Sequence, residues 1–239
     1  MPSKRKIVFI IVEGISDQTA LAAIMSKLIK TENVIVEFTR GDITTEFGVS
    51  PPNIASKIGN FIKEYSKPYS YKASDYLEVI HIIDTDGAFI GNDRVVESEI
   101  EGTFYDCNSI KTSNCQNIIN RNQRKVKNVQ RLISLPKVWA SIPYAVYFFS
   151  SNLDHVLHNN ANVPPKDKDK LATEFVKRYH HHPEAFLTFI QDDAFAIKKA
   201  YLDSWRQIEE GENSLKRHTN VNLVFSEQAK NIKRTLIQI

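Results

Sequence analysis

The chain is poor in sulfur and has no long apolar segment. Cysteine occurs only at Cys107 and Cys115, which form neither a C-x-x-C pair nor part of a larger framework. That excludes a disulfide-stapled scaffold and a cysteine-based zinc or redox motif. No apolar run approaches the ~18 residues that a membrane-crossing helix needs, so no bilayer span is expected. Together with the absence of a recognisable secretory signal, the cysteine usage leads us to expect a reducing cytoplasm. Charge of one sign is scarce as well: 31 Lys and Arg against 28 Asp and Glu leave a net +3, too small an excess to argue for nucleic acid by itself. Internal repeats, low-complexity tracts and a G-x-x-x-x-G-K-[ST] phosphate loop are also missing. The chain therefore carries no P-loop of its own with which to couple nucleotide hydrolysis to other work.

What is there is an ordinary mixture, 42% hydrophobic and 25% charged, on a length of 239 residues that suffices for one good core. "KIVFIIVE" (6–13) is a near-continuous β-branched and aromatic run, the signature of a strand covered on both faces. Gly14 permits a tight turn, and Ser16 or Asp17 can cap a helix with Ala20, Leu21, Ile24, Met25, Leu28 and Ile29 on its apolar side. A second strand is expected at 33–39. Ser50 before Pro51 and Pro52 starts another helix, with Ile54, Ile58, Phe61, Ile62 and Tyr65 on one face. "YLEVIHIID" (76–84) is a third strand and "YAVYFFSS" (144–151) a fourth. Such alternation predicts an α/β fold whose parallel sheet is flanked by helices. We expect an α/β domain over residues 1–155, with an irregular insertion at about 91–142, and a helical C-terminal region over 156–239. In that region Leu171, Phe175, Val176 and Tyr179 share one helix face, and Pro183 opens a further helix.

The first strand runs into Glu13, and a buried strand should not end on a carboxylate without a partner. The third strand ends in Asp84 and Asp86. In a parallel sheet the carboxyl ends of all strands lie on one edge, so these acids can converge, with Asp17 one helical turn beyond Glu13. Facing carboxylates repel, and a hard divalent cation is the usual remedy.

A strand ending in Glu13-Gly14, a helix, and a later strand ending in Asp84-Thr85-Asp86 resembles the Toprim fold of topoisomerases, primases and OLD-family nucleases. "VEGISD" looks like the OLD type, and "FFSSNLDHVLHN" with "SLKRHTNVNLV" is similar to the RloB-like branch. The resemblance implies a metal-dependent nuclease cutting DNA or RNA. Asp84 and Asp86 would hold Mg²⁺ or Mn²⁺, Glu13 would be metal ligand or proton carrier, and Asp17 and Asp154 would be further ligands. It also implies a role in defence against foreign nucleic acid, with a separate ATPase subunit as a partner. The chain is too short for topoisomerase gate domains, which leaves hydrolysis by activated water.

The basic run Arg121, Arg124, Lys125, Lys127 and Arg131 is a candidate contact for nucleic-acid phosphates, against the plainer reading of a solvated helix face. Two rival functions stand beside the nuclease. "HIIDTDGAF" resembles the first motif of haloacid-dehalogenase-type phosphatases, which would want a lysine and a further acidic pair such as Asp192-Asp193, and which leaves Glu13 unexplained. A non-catalytic Toprim-like module that binds nucleic acid or a regulator is the other. The triplet His180–His182 lacks i,i+4 spacing and reads as a solvated helix end. His155 and His158 read as structural.

Overall fold

Alternation within the first strand decides the architecture. In β1 (Lys6–Val12), Ile7, Phe9 and Ile11 face one way and Val8, Ile10 and Val12 the other, and none of the six is more than 1% exposed. A strand apolar on both sides needs cover on both sides, which crossover helices supply. The computed structural model, which describes residues 5–226, meets that need. After β1 come α1 (Ile15–Ile29), β2 (Val34–Arg40), α2 (Ile54–Ser66) and β3 (Tyr76–Asp84). Three short strands follow, β4 (Val95–Glu97), β5 (Thr103–Tyr105) and β6 (Ile110–Thr112), and then the long helix α3 (Cys115–Ile133). The chain continues through β7 (Lys137–Val138), β8 (Ile142–Phe149), α4 (Leu153–His158), α5 (Pro165–Tyr179), α6 (Pro183–Ile190) and α7 (Tyr201–Glu209).

The main sheet has the order β2-β1-β3-β8-β7, parallel except for β7 at its edge. It is the α/β sheet flanked by helices that the pattern predicts. One face is covered by α1, α4, α5 and α6, the other by α2, α3 and α7. The strands expected at 33–39 and 144–151 lie within a residue or two of Val34–Arg40 and Ile142–Phe149. Among the described residues no helix is long and apolar enough to cross a membrane.

Two expectations need correction. Residues 91–142 are not irregular: they form a small sheet of order β4-β6-β5 and the 19-residue helix α3, which Asn114 caps by accepting from the Asn117 N–H at 3.0 Å. Nor is the C-terminal region helical throughout. Residues 191–200 are irregular, and 210–221 carry a 3₁₀ turn at Asn213–Leu215 and isolated bridges from Thr219 to Phe149 and Ala196. The helix expected at 227–239 falls outside the described residues. The region has no core to itself, because Phe175, Phe186 and Val221 join one core of the sheet while Trp205 and Ile208 join the other.

Trp205 is 2% exposed and packs edge-on against Phe148 of β8, with ring centroids 4.7 Å apart. Trp205→Ala is expected to destabilise the whole chain by about 3–5 kcal/mol through the cavity it leaves. Urea unfolding followed by circular dichroism and by tryptophan fluorescence should give coincident transitions before and after the substitution. Separate transitions in the wild type would contradict a shared core.

Candidate active site

Because β1 and β3 are neighbouring parallel strands, their carboxyl ends bring Glu13 next to Asp84-Thr85-Asp86. Glu13 is 11% exposed, and its Oε1 accepts from the Thr44 hydroxyl at 3.1 Å, on the loop that follows β2. Asp86 sits in a turn with φ of +50°, followed by Gly87 at +62°. This turn is clasped to the end of β8: the Thr85 N–H donates to the Phe149 carbonyl at 2.9 Å and the Asp86 N–H to the Ser151 carbonyl at 2.7 Å. Asp84 Oδ1 accepts from the N–H of Leu153, the first residue of α4, at 2.9 Å. The Ser214 carbonyl accepts from both Thr85 Oγ1 and the Ser151 N–H, and Leu215 fills the space beside Gly87. A Cβ at Gly87 would stand 2.4 Å from Leu215 Cδ2 and would displace that side chain, and the left-handed backbone there favours glycine.

The partner that Glu13 requires is a lysine. Lys125 of α3 has no solvent exposure, and its Nζ lies 3.3 Å from Glu13 Oε1 and 2.5 Å from Asp86 Oδ2. Burial works against its charge, but Asp86 and Glu13 outweigh burial and hold its pKa above the usual lysine value. Asp86 is also pushed up by burial, yet Lys125 and Arg121 prevail and keep it below the usual carboxylate range. Glu13 behaves the other way. Burial dominates, Lys125 only partly offsets it, and Asp86, Asp42 and Asp17 add repulsion, so its pKa rises from 4.5 to about 8. Asp84 is raised well above its ordinary value by burial and then by Asp17, Glu13 and Asp86.

The other expected site residues divide. Asp17 serves α1 as its capping-box acid, accepting from the Gly14 N–H at 2.8 Å, and burial raises its pKa. Asp154 is 4% exposed and paired with Lys168 at 3.0 Å, flanking Asp17. The basic run does not act as one surface. Lys125 is a correction, since a wholly buried ammonium engaged with two carboxylates cannot meet a polymer's phosphates in this arrangement. Arg121 is half-buried and holds the loop, its Nη2 donating to the Asp86 carbonyl at 2.8 Å and its Nη1 to the Tyr105 hydroxyl at 3.1 Å. Lys127 and Arg131 are exposed, and Arg124 is half-buried. Thr44, Tyr105 and Lys168 were not singled out from the sequence, where nothing distinguishes them from their surface counterparts.

A divalent ion fits this group by donor type and by charge. The donors are carboxylate oxygens, which suit Mg²⁺ or Mn²⁺. Glu13, Asp17, Asp84 and Asp86 outnumber Lys125, Arg121 and Lys168, the cations that face them; burial above all raises Glu13, Asp17 and Asp84, and repulsion among the acids adds to it at Glu13 and Asp84. By position the fit is incomplete. Among the described residues no group of three or more His, Cys, Asp or Glu side chains is arranged to hold a metal ion, and the cation bridging Glu13 and Asp86 is Lys125. No family model matches the chain, and neither does any curated protein or solved structure.

The Glu13 shift sets a pH dependence. A carboxyl whose pKa is 4.5 unfolded and about 8 folded keeps a proton in the folded chain that the unfolded chain releases, so stability declines as pH rises from about 4.5 to about 8. In metal-free protein, Glu13→Gln is expected to flatten that decline and to exceed the wild type at pH 8 by an amount on the order of a few kcal/mol. Chemical denaturation from pH 5 to 9 in the presence of EDTA checks this. Parallel stability curves for the two proteins would rule out a proton retained at Glu13.

Proposed function

We propose that the chain is a metal-dependent hydrolase of phosphodiester bonds in nucleic acid, of the Toprim kind. The observation that carries this reading is the meeting of Glu13 with Asp84 and Asp86 at the ends of two directly paired parallel strands, with Glu13 poised to exchange a proton near neutral pH. A group with that pKa can take a proton from an attacking water or deliver one to a leaving oxygen, where an ordinary glutamate would be fully ionised. Asp84 and Asp17, which Lys168 offsets only in part, would hold the ion, and Glu13 would be the proton carrier. Such an ion, when bound, would supply Lewis-acid polarisation of the scissile phosphate and offset charge on the attacking and leaving oxygens. Lys125 keeps Asp86 ionised and fixed, and Arg121 keeps the turn that bears Asp86 in place.

A lysine beside an Asp-x-Asp turn is also what a haloacid-dehalogenase-type phosphatase would want. Two observations disfavour that alternative. Lys125 engages the second aspartate and Glu13, and Asp192 and Asp193 lie exposed beyond α6, with Asp193 paired to Lys198 at 2.6 Å.

Purified protein incubated with single- and double-stranded DNA and RNA is expected to cut at least one of them with Mg²⁺ or Mn²⁺ and none with EDTA. Glu13→Gln should lower the rate ~10²- to 10⁴-fold, the range of a lost general acid or base. Asp84→Asn should abolish cutting while leaving the circular dichroism spectrum unchanged. Cutting by both variants at the wild-type rate would remove the reading.

A further inference from the structure

Phe47 is the most exposed large apolar side chain among the described residues, at 97%. It does not belong to a slack segment. In the loop between β2 and α2, Ile43 and Val49 are buried in the core on either side of it. Asp42 accepts from the Thr44 hydroxyl at 3.3 Å and from the Thr45 N–H at 3.2 Å, and Asn128 of α3 donates to the Thr44 carbonyl at 2.9 Å. Glu46 pairs with Lys57 at 2.6 Å, and Asn53 donates to the Gly48 carbonyl at 2.9 Å. The loop is thus held at both ends and along its length while its phenyl ring forgoes the whole gain of burial.

A pocket of about 300 Å³ opens between the end of this loop, Val49–Pro51, and the face of α3 that carries Arg124 and Lys127. Arg124 Nε is buried without a hydrogen-bond partner. Three residues before Phe47, Thr44 bonds Glu13, so the Cα of Phe47 lies at most about 11 Å from that of Thr44. Phe47 therefore stands two residues from Val49 of the pocket wall and three from Thr44, which reaches the carboxylates.

We propose that Phe47, Arg124 and Lys127 form a binding site for single-stranded nucleic acid, in which a base stacks on Phe47 and an adjoining phosphate enters the pocket. Proteins that hold single strands combine such a basic groove with aromatic platforms. A duplex keeps its base faces stacked on one another, so an outward-pointing phenyl ring selects an unpaired strand. This inference rests on the hydrolase reading for its purpose, since it would supply the strand on which the carboxylates act.

Binding can be measured apart from cutting, with EDTA present, by the anisotropy of a short labelled oligothymidylate and of an abasic strand of equal length. Phe47→Ala, which disturbs no packing, is expected to weaken oligothymidylate binding ~5- to 150-fold, the loss of one stacked base. The abasic strand should bind both proteins alike. Phe47→Trp should retain affinity, and its added fluorescence should be quenched by oligothymidylate. Arg124→Ala should lower the slope of log affinity against log salt by about one. Equal affinity of wild type and Phe47→Ala, an equal loss on the abasic strand, or no binding of oligothymidylate by the wild type would each overturn the site. Cutting by a wild type whose affinity ignores Phe47 would leave the hydrolase standing without this site. Phe47-dependent binding without cutting in Mg²⁺ would do the reverse.

Discussion

The position of α3 follows from one buried lysine, Lys125, which must meet the ionised carboxylate of Asp86 and the carboxyl of Glu13. A charge removed from water is tolerated only when its partners are close, so Lys125 can occupy its site only if α3 lies against the ends of β1 and β3. Once it lies there, the rest of the helix has little choice. Three and four residues on, Asn128 reaches the Thr44 carbonyl and Val129 enters the core, and one turn earlier Arg121 meets the Asp86 carbonyl. Buried ion pairs stabilise weakly against an apolar alternative, but they discriminate between registers, because a helix displaced by one turn would leave Lys125 and Asp86 unmatched and Glu13 without its partner.

The same cluster shows two carboxylates on one lysine behaving oppositely. Asp86 has the shorter contact to Lys125 and the added support of Arg121, and it stays ionised. Glu13, penalised first by burial, shares what remains within reach of Asp86, Asp42 and Asp17, and keeps its proton into the neutral range. Splitting like groups by environment in this way is how one site can hold both a charged and a proton-exchanging carboxyl.

Much of this was legible in the residues. Strands apolar on both faces announced a sheet buried on both faces, and acids at their ends announced the edge where Glu13, Asp84 and Asp86 meet. The helix α3 was not legible, because its buried positions include Asn122, Lys125 and Asn128, and polar residues at core positions erase the 3.6-residue apolar period. A sequence gives the charge of Lys125 but not its direction, so it read as one more base in a run facing water. The strands β4, β5 and β6 are three residues each, too short for alternation to be seen. Thr44 entered the site through a loop and Tyr105 through the end of the short strand β5, whose course no local pattern reveals.

The contact between Thr85 and Ser214 also bears on when the site can exist during synthesis. The two residues are 129 positions apart, and the Ser214 carbonyl accepts from both the turn that bears Asp86 and the end of β8. A nascent chain that has completed β1 and β3 already carries every acid of the cluster except Asp154, yet lacks the strut that fixes their turn. At ordinary translation rates that strut arrives roughly 6 to 26 s after Thr85 leaves the ribosome. Until then the carboxylates share an edge without a fixed geometry, and a chain broken off early would carry the acids of the site without the frame that orders them.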